Sequence, residues 1–312
     1  MSTVQFERIA IIGLGHIGSS LTRAIKQLGL ARELVVTDAS PAIRKRAKEI
    51  GLGDQIAQTN AEAVEDADLT IVCVPVGVCG QVAADIAHHL KSGSIVSDVG
   101  SVKATVLREM SAHLPLTVHF IPAHPVAGTE DSGPDSGFAE LFINRWCILT
   151  PPPQADPAAV EKLAALWRTI GANVEIMTAD HHDLVLAVTS HLPHLIAYTI
   201  VGTADELEDV TQAEVLKFSA GGFRDFTRIA ASDPTMWRDI FLANKDAVLE
   251  MLGAFQEDLS KLTRAIRRGD GEALHDHFTR TRAIRRGIVN LGQDAAGPDF
   301  GRPHAHRSPA KP

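Results

Sequence analysis

Residues 9–18 read Ile9-Ala-Ile-Ile-Gly13-Leu14-Gly15-His16-Ile17-Gly18, an apolar run followed by three glycines in the spacing G-x-G-x-x-G. The bare spacing is a weak signal, but its surroundings are specific. A strand-like segment precedes it, a helix-forming segment (19–28) follows, and the acidic Asp38 stands 20 residues past Gly18 at the end of the next apolar run. Gly13 permits the tight turn, Gly15 lets the backbone approach a pyrophosphate, and Gly18 lets the helix pack against the strand with its N-terminus toward the anion. Asp38 would accept hydrogen bonds from the ribose hydroxyls and repel a 2′-phosphate. This favours NAD over NADP, although Arg44, Lys45 and Arg46 lie nearby. Leu14, His16 and Ile17 within the loop, and Val74 and Pro75 at the end of the run 69–74, complete the expected cofactor contacts. His16 is read as a tolerated variable position rather than a catalytic group.

Outward from this stretch, short Ile/Val-rich runs at 8–12, 34–37, 69–74, 94–98, 117–121, 147–150 and 173–176 alternate with helical segments. Runs apolar on both faces predict a parallel sheet covered by helices, hence an α/β, doubly wound, Rossmann-type fold. Beyond residue 180 the strand signal stops. Apolar residues recur at three- and four-residue spacing over 184–204, 209–217, 234–262 and 271–287, which predicts an all-helical second half. The expected organisation is a dinucleotide-binding domain at 1–178, a helical substrate and dimerisation domain at 179–293, and a Gly/Pro/His-rich tail at 294–312 expected to be disordered. Arg264-Ala-Ile-Arg-Arg268-Gly269 recurs as Arg282-Ala-Ile-Arg-Arg286-Gly287. With nothing matching around it, the echo reads as two helix ends, each stopped by glycine.

At 312 residues the chain has the length of about two domains. Thirty Lys and Arg against 38 Asp and Glu give a net charge of −8. A nucleic-acid binder shows the opposite balance or a concentrated basic face, so nucleic acid is set aside as a partner. Cys73, Cys79 and Cys147 form no CxxC pair and read as buried thiols in a reducing compartment. Residues 1–7 lack the pattern of a signal peptide. No apolar stretch is read as approaching the length of a membrane span, so the expected location is cytoplasmic.

Two clusters leave strand ends at the sheet edge where open α/β sheets bind ligands: Asp98-Val-Gly-Ser101-Val-Lys103 and Pro122-Ala-His124-Pro-Val-Ala-Gly-Thr129-Glu130. A lone histidine is more often structural, but His124 at that edge is a candidate acid or base near neutral pH. The helical half adds Ser190-His191-Leu-Pro-His194 and Gly221-Gly-Phe-Arg224-Asp-Phe-Thr-Arg228. Arg224 offers a planar fork for a carboxylate. Its alternative is a salt bridge with Asp225.

These five motifs, in this order, resemble those of the prephenate/arogenate (cyclohexadienyl) dehydrogenases. The resemblance spans residues 9 to about 237. It implies a Rossmann-type domain followed by a helical dimerisation domain, a homodimer, NAD as cofactor, and oxidative decarboxylation of prephenate or arogenate on the way to tyrosine. By the same resemblance His124 is the base, Ser101 its catalytic partner, and Arg224, His191, Thr129, Lys103 and Glu130 the substrate contacts. The length leaves no room for a fused mutase or regulatory domain, so tyrosine inhibition would act at the active site itself. The alternatives are a β-hydroxyacid-type dehydrogenase, which uses a helical-domain lysine and lacks the His-Pro loop, or a non-catalytic NAD-binding protein.

Overall fold

The structure is a computed structural model, and it describes residues 4–128, 132–206 and 221–288. Six strands form the main parallel sheet: β1 (Phe6–Ile12), β2 (Ala31–Thr37), β3 (Gln55–Ile56), β4 (Leu69–Val72), β5 (Ile95–Asp98) and β6 (His119–Phe120). Their order is β3-β2-β1-β4-β5-β6, so the chain crosses over between β3 and β4 to the other side of β1. Side chains alternate across the sheet, as the period of two requires. Ile9 and Ile11 of β1, Leu69 and Ile71 of β4 and Ile95 of β5 enter one apolar cluster. Ala10 and Ile12, Val72 and Val96 enter a second cluster on the opposite face. The doubly wound reading therefore holds, with both faces covered.

Helices α1 (His16–Leu28), α2 (Pro41–Glu49), α3 (Asn60–Val64), α4 (Cys79–Ile86) and α5 (Ala104–Ser111) connect these strands. The pattern differed from expectation at the end of this region. β7 (Ala123–Pro125), β8 (Trp146–Leu149) and β9 (Asn173–Ile176) form a separate three-stranded sheet, in which β7 and β8 run antiparallel and β8 and β9 parallel. His124 thus sits in a short strand, not in a loop. Its proline neighbours hide the strand because proline denies the ladder a donor. β9 is an edge strand with three of its four residues exposed, unlike the two-sided burial expected. Helix α6 (Pro157–Ile170) joins β8 to β9, capped by Asp156 and ended by Gly171 in the left-handed region.

From residue 179 the described chain is helical: α7 (Ala179–Leu186), α8 (Leu192–Asp205), α9 (Gly221–Thr227), α10 (Pro234–Ala243), α11 (Lys245–Arg268) and α12 (Gly271–Ile288). Between α7 and α8 a π-helical turn, Ala187–His191, widens the helix. Pro193 follows it, and its ring and missing N–H disturb the i to i−4 ladder at this point. The run Ala179–Asp205 is 27 residues, long and apolar enough by length and composition to cross a membrane, contrary to the sequence expectation. Its buried polar side chains belong to the network described below. The segment 234–262, expected as one helix, breaks at Asn244. Of the two repeated Arg-rich segments, the first ends at Gly269 (φ +65), whereas Gly287 lies inside α12.

By packing, the chain forms two compact units, Met1–Val248 and Leu249–Pro312. The first takes in both sheets and the helices through α10. Residue 178, where strands give way to helices, lies within the first unit. The expected helix 209–217 and the tail 294–312 lie outside the described residues.

Candidate active site

The glycine loop between β1 and α1 has the geometry of a dinucleotide cradle. Gly13 has φ +97, and a Cβ there would collide with the Cys73 carbonyl, while one at Gly18 would collide with the Gly13 carbonyl. Nothing stands within 4 Å of the Cβ position at Gly15, so the N-terminus of α1 is open to a ligand there. Asp38 is anchored beside it. Its Oδ2 accepts from Leu14 N (2.8 Å) and its Oδ1 from Ser40 N (2.9 Å). The Arg44 guanidinium donates to the Asp38 and Ala39 carbonyls (2.5 and 3.1 Å), so it closes this corner. A cleft lined by Thr37, Asp38, Arg44, Gln58, Asn60 and Asp85 opens here. These residues fit the adenosine end of a dinucleotide, with the pyrophosphate at Gly15.

The other predicted cofactor residues divide by role. Leu14 is fully buried and offers only its backbone, and Ile17 packs against the core. His16 lies across from the loop that follows β7, with its Nδ1 3.1 Å from Ser136 Oγ and its ring edge-on to Phe138. Val74 packs beside Gly13, and Pro75 is exposed at the start of the turn Val76–Val78.

His124 stands at the end of a buried chain of hydrogen bonds. Its Nδ1 lies 2.8 Å from His182 Nε2, and His182 Nδ1 lies 2.8 Å from Asp183 Oδ1. A carboxylate oxygen only accepts, so His182 carries its proton on Nδ1 and presents a bare Nε2. His124 must then donate from Nδ1, which leaves the lone pair of its own Nε2 unprotonated. Burial, followed by the neighbouring His182, Lys103 and His191, holds the His124 pKa well below the usual 6.5. His182 is lowered as well, because burial outweighs the attraction of Asp183. Both rings are neutral near pH 7, and the base form of His124 is the resting form.

Asp183 is held in turn by the N-terminus of α5. Its Oδ1 accepts from Lys103 N (2.7 Å) and its Oδ2 from Ala104 N (2.9 Å). A carboxylate from α7 thereby satisfies donors that α5 cannot satisfy itself. Asn244, at the break between α10 and α11, completes the arrangement. Its Nδ2 donates to the Asp183 carbonyl (2.8 Å) and to His191 Nδ1 (3.1 Å). His191 therefore carries its proton on Nε2, which closes no hydrogen bond among the described residues. Burial lowers the His191 pKa to about 4, and its ring faces the Ser101 backbone.

Several predicted site residues are placed differently from expectation. Lys103 is fully buried and donates to Asp98 and to the Ala123 carbonyl, so it cannot touch a substrate. His191 is fully buried and so acts from behind the surface, whereas His194, stacked on Trp237 with ring centroids 3.7 Å apart, is only half-buried. Arg224 is 73% exposed and paired with Asp225 at 3.4 Å, the alternative weighed for it. Arg228 is half-buried, and its charge is felt at His194. Ser101 is half-buried in the turn between β5 and α5. Thr129 and Glu130 lie outside the described residues.

The sequence reading missed His182, Asp183 and Asn244. The His-His-Asp run at 181–183 was the available signal, a cluster of titratable groups at a helix start. Asn244 carried none.

The prephenate dehydrogenase nucleotide-binding domain matches residues 21–176, and the prephenate dehydrogenase dimerization domain matches 178–280. A cyclohexadienyl dehydrogenase of Zymomonas mobilis is 45% identical over 280 residues, covering 90% of this chain and 95% of the relative. A prephenate dehydrogenase of Bacillus subtilis is 34% identical, covering 94% and 79%. The crystal structure of prephenate dehydrogenase from A. aeolicus in complex with hydroxyphenyl propionate and NAD+ superimposes with a TM-score of 0.84 at 30% identity, covering 90% of this chain and 98% of that one. Fold, dinucleotide cradle and matched sequence together establish that the chain belongs to the prephenate dehydrogenase family.

Proposed function

We propose that this NAD-dependent oxidoreductase oxidises and decarboxylates both prephenate and arogenate, with His124 as the base. The observation that carries this reading is the buried His124–His182–Asp183 chain, which selects the His124 tautomer with an unprotonated Nε2, in the same compact unit as the dinucleotide cradle. The similarity to a cyclohexadienyl dehydrogenase over nine-tenths of the chain supports breadth toward the two substrates.

A dinucleotide bound along Gly13, Gly15, Gly18 and Asp38 supplies the hydride acceptor. His124 Nε2 takes the proton of the ring hydroxyl as the carbinol carbon is oxidised. The ring carboxylate then leaves as carbon dioxide; its bonding pair enters the ring, the carbonyl π pair moves to oxygen, and the resulting phenolate takes back the proton held on His124, so aromatisation makes the step irreversible. Positioned proton transfer of this kind contributes about 10²–10⁴-fold. The positive charge that develops on His124 is met by His182 Nε2, and through it by Asp183. Ser101, His194 and Arg228 are the polar groups assigned to substrate binding, with Thr129, Glu130 and Arg224 as further candidates.

The exposed apolar Leu184, Val188, Ile200 and Val201 of the dimerisation segment support a homodimer. Free Cys73, Cys79 and Cys147 fit a reducing, cytoplasmic setting. Inhibition by tyrosine, which resembles the aromatic product, would compete at the substrate site.

Purified protein with NAD and either substrate, followed by NADH absorbance, tests the reading. Reduction of NAD with both is expected. Turnover of one alone narrows the substrate, and turnover of neither overturns the proposal.

A further inference from the structure

Strand β5 ends at Asp98, and Lys103 begins α5 five residues later. Both side chains are fully buried and form an ion pair. Such a pair is an inefficient way to stabilise a turn, because desolvation offsets much of the attraction and apolar replacements of similar volume are often as stable. Its contacts point to another task. Asp98 Oδ1 accepts from the Ala123 N–H at 3.3 Å, and Lys103 Nζ donates to the Ala123 carbonyl at 2.8 Å. Both polar backbone groups of the residue immediately before His124 are thus gripped by opposite charges. Gly100 N donates to Asp98 Oδ2 at 2.8 Å and closes the turn.

The same turn acts on the His124 ring from the other side. Lys103 N and Ala104 N hold the Asp183 carboxylate, Asp183 holds His182, and His182 holds His124. Backbone and imidazole of the base are therefore referred to one short segment, residues 98–104.

We infer that the buried Asp98–Lys103 pair is a positioning device for the base, fixing the Ala123 peptide and the Asp183 carboxylate in a common frame so that His124 is held from both ends. The inference rests on His124 being the base. A displacement of about 1 Å in reacting groups costs on the order of 10²-fold in rate, so a clamp on the preceding peptide has a kinetic signature.

The test compares Lys103→Met, the charge-neutral double variant Asp98→Asn/Lys103→Met, and Lys103→Gln, which keeps an N–H donor for the Ala123 carbonyl. His124→Asn serves as the reference. For each, kcat and substrate KM are measured with NAD and prephenate, NAD Kd by calorimetry, and Tm by thermal unfolding. In the Met variants kcat is expected to fall by about 10²-fold, with NAD Kd and substrate KM within about 3-fold of wild type; Lys103→Gln is expected to lose about 10-fold. A folded Met variant that loses less than about 10-fold in kcat, while His124→Asn is inactive, overturns the clamp and leaves the base assignment standing. Loss of NAD binding together with kcat in all three variants, Lys103→Gln included, also overturns it, since the pair would then support the domain rather than the base. An active His124→Asn removes the base assignment itself.

Discussion

His124 Nδ1 and His182 Nε2 lie 2.8 Å apart, with the two rings nearly edge to face at 67°. Of two adjacent neutral imidazoles, only one can donate at such a contact, and the Asp183 carboxylate on the far side of His182 decides which. The contact therefore selects the tautomer of His124.

Replacing His124 by Asn removes the proton acceptor and leaves the cradle untouched. kcat is expected to drop by 10²-fold or more, with NAD Kd nearly unchanged. Steady-state kinetics and calorimetry check this, and a variant active within a few-fold would refute the assignment.

Replacing His182 by Phe keeps ring volume but gives His124 Nδ1 no acceptor, so the imidazole loses its tautomer preference and its stabilisation when protonated. A fall in kcat of about 10–10²-fold is expected, with substrate KM within about 3-fold. Equal losses in kcat and NAD affinity would instead mark His182 as a packing residue.

The buried histidines set the pH response. His124, His182 and His191 all titrate below the usual 6.5, His191 at about 4. The unfolded chain binds these protons first. Their contribution to stability is therefore present above about pH 6.5 and is lost as pH falls through the folded values. For His191 alone it is on the order of 3 kcal/mol. Tm should be flat from pH 7 to 8 and decline steadily below 6.5. The acid limb of kcat/KM should lie below pH 6.5, and a limb at or above that value would contradict a desolvated base.

Asp38→Ser removes the carboxylate that bridges Leu14 N and Ser40 N at the ribose corner, while Arg44 remains beside it. KM for NAD should rise about 10-fold and preference shift toward NADP. Unaltered discrimination between the two dinucleotides would place the selection elsewhere.

Arg228→Ala should raise substrate KM more than Arg224→Ala does, because Arg228 is half-buried next to His194 whereas Arg224 is engaged with Asp225 at the surface. The reverse order of effects would restore Arg224 as the main carboxylate contact.

Much of the fold could be read from local pattern. The glycine loop and the two-sided apolar strands of the main sheet each report on their own neighbourhood, and the six-stranded parallel sheet is what that pattern requires. The second sheet was not legible, because β7 is three residues long with proline at its end and pairs with a partner more than 20 residues away. The site divided in the same way. His124 stood out through its proline-flanked position at a strand edge, but its partner His182 lies 58 residues on in sequence, in what reads as an ordinary helix start. Lys103 was visible as a cation and read as a substrate contact, since sequence shows charge and not burial. Asn244 stands inside a segment that reads as continuous helix, and only the structure shows that the helix breaks there and turns its amide toward Asp183 and His191.

The cap that Asp183 places on α5 bears on how such an enzyme can be recombined. A nucleotide-binding module transplanted without the first helix that follows it would keep its glycine loop and its affinity for the dinucleotide. It would arrive with two bare N–H groups on α5 and a His124 whose second nitrogen faces no partner. The glycine loop would travel with the module, whereas the Asp183–His182 support of His124 would come only when both segments travel together.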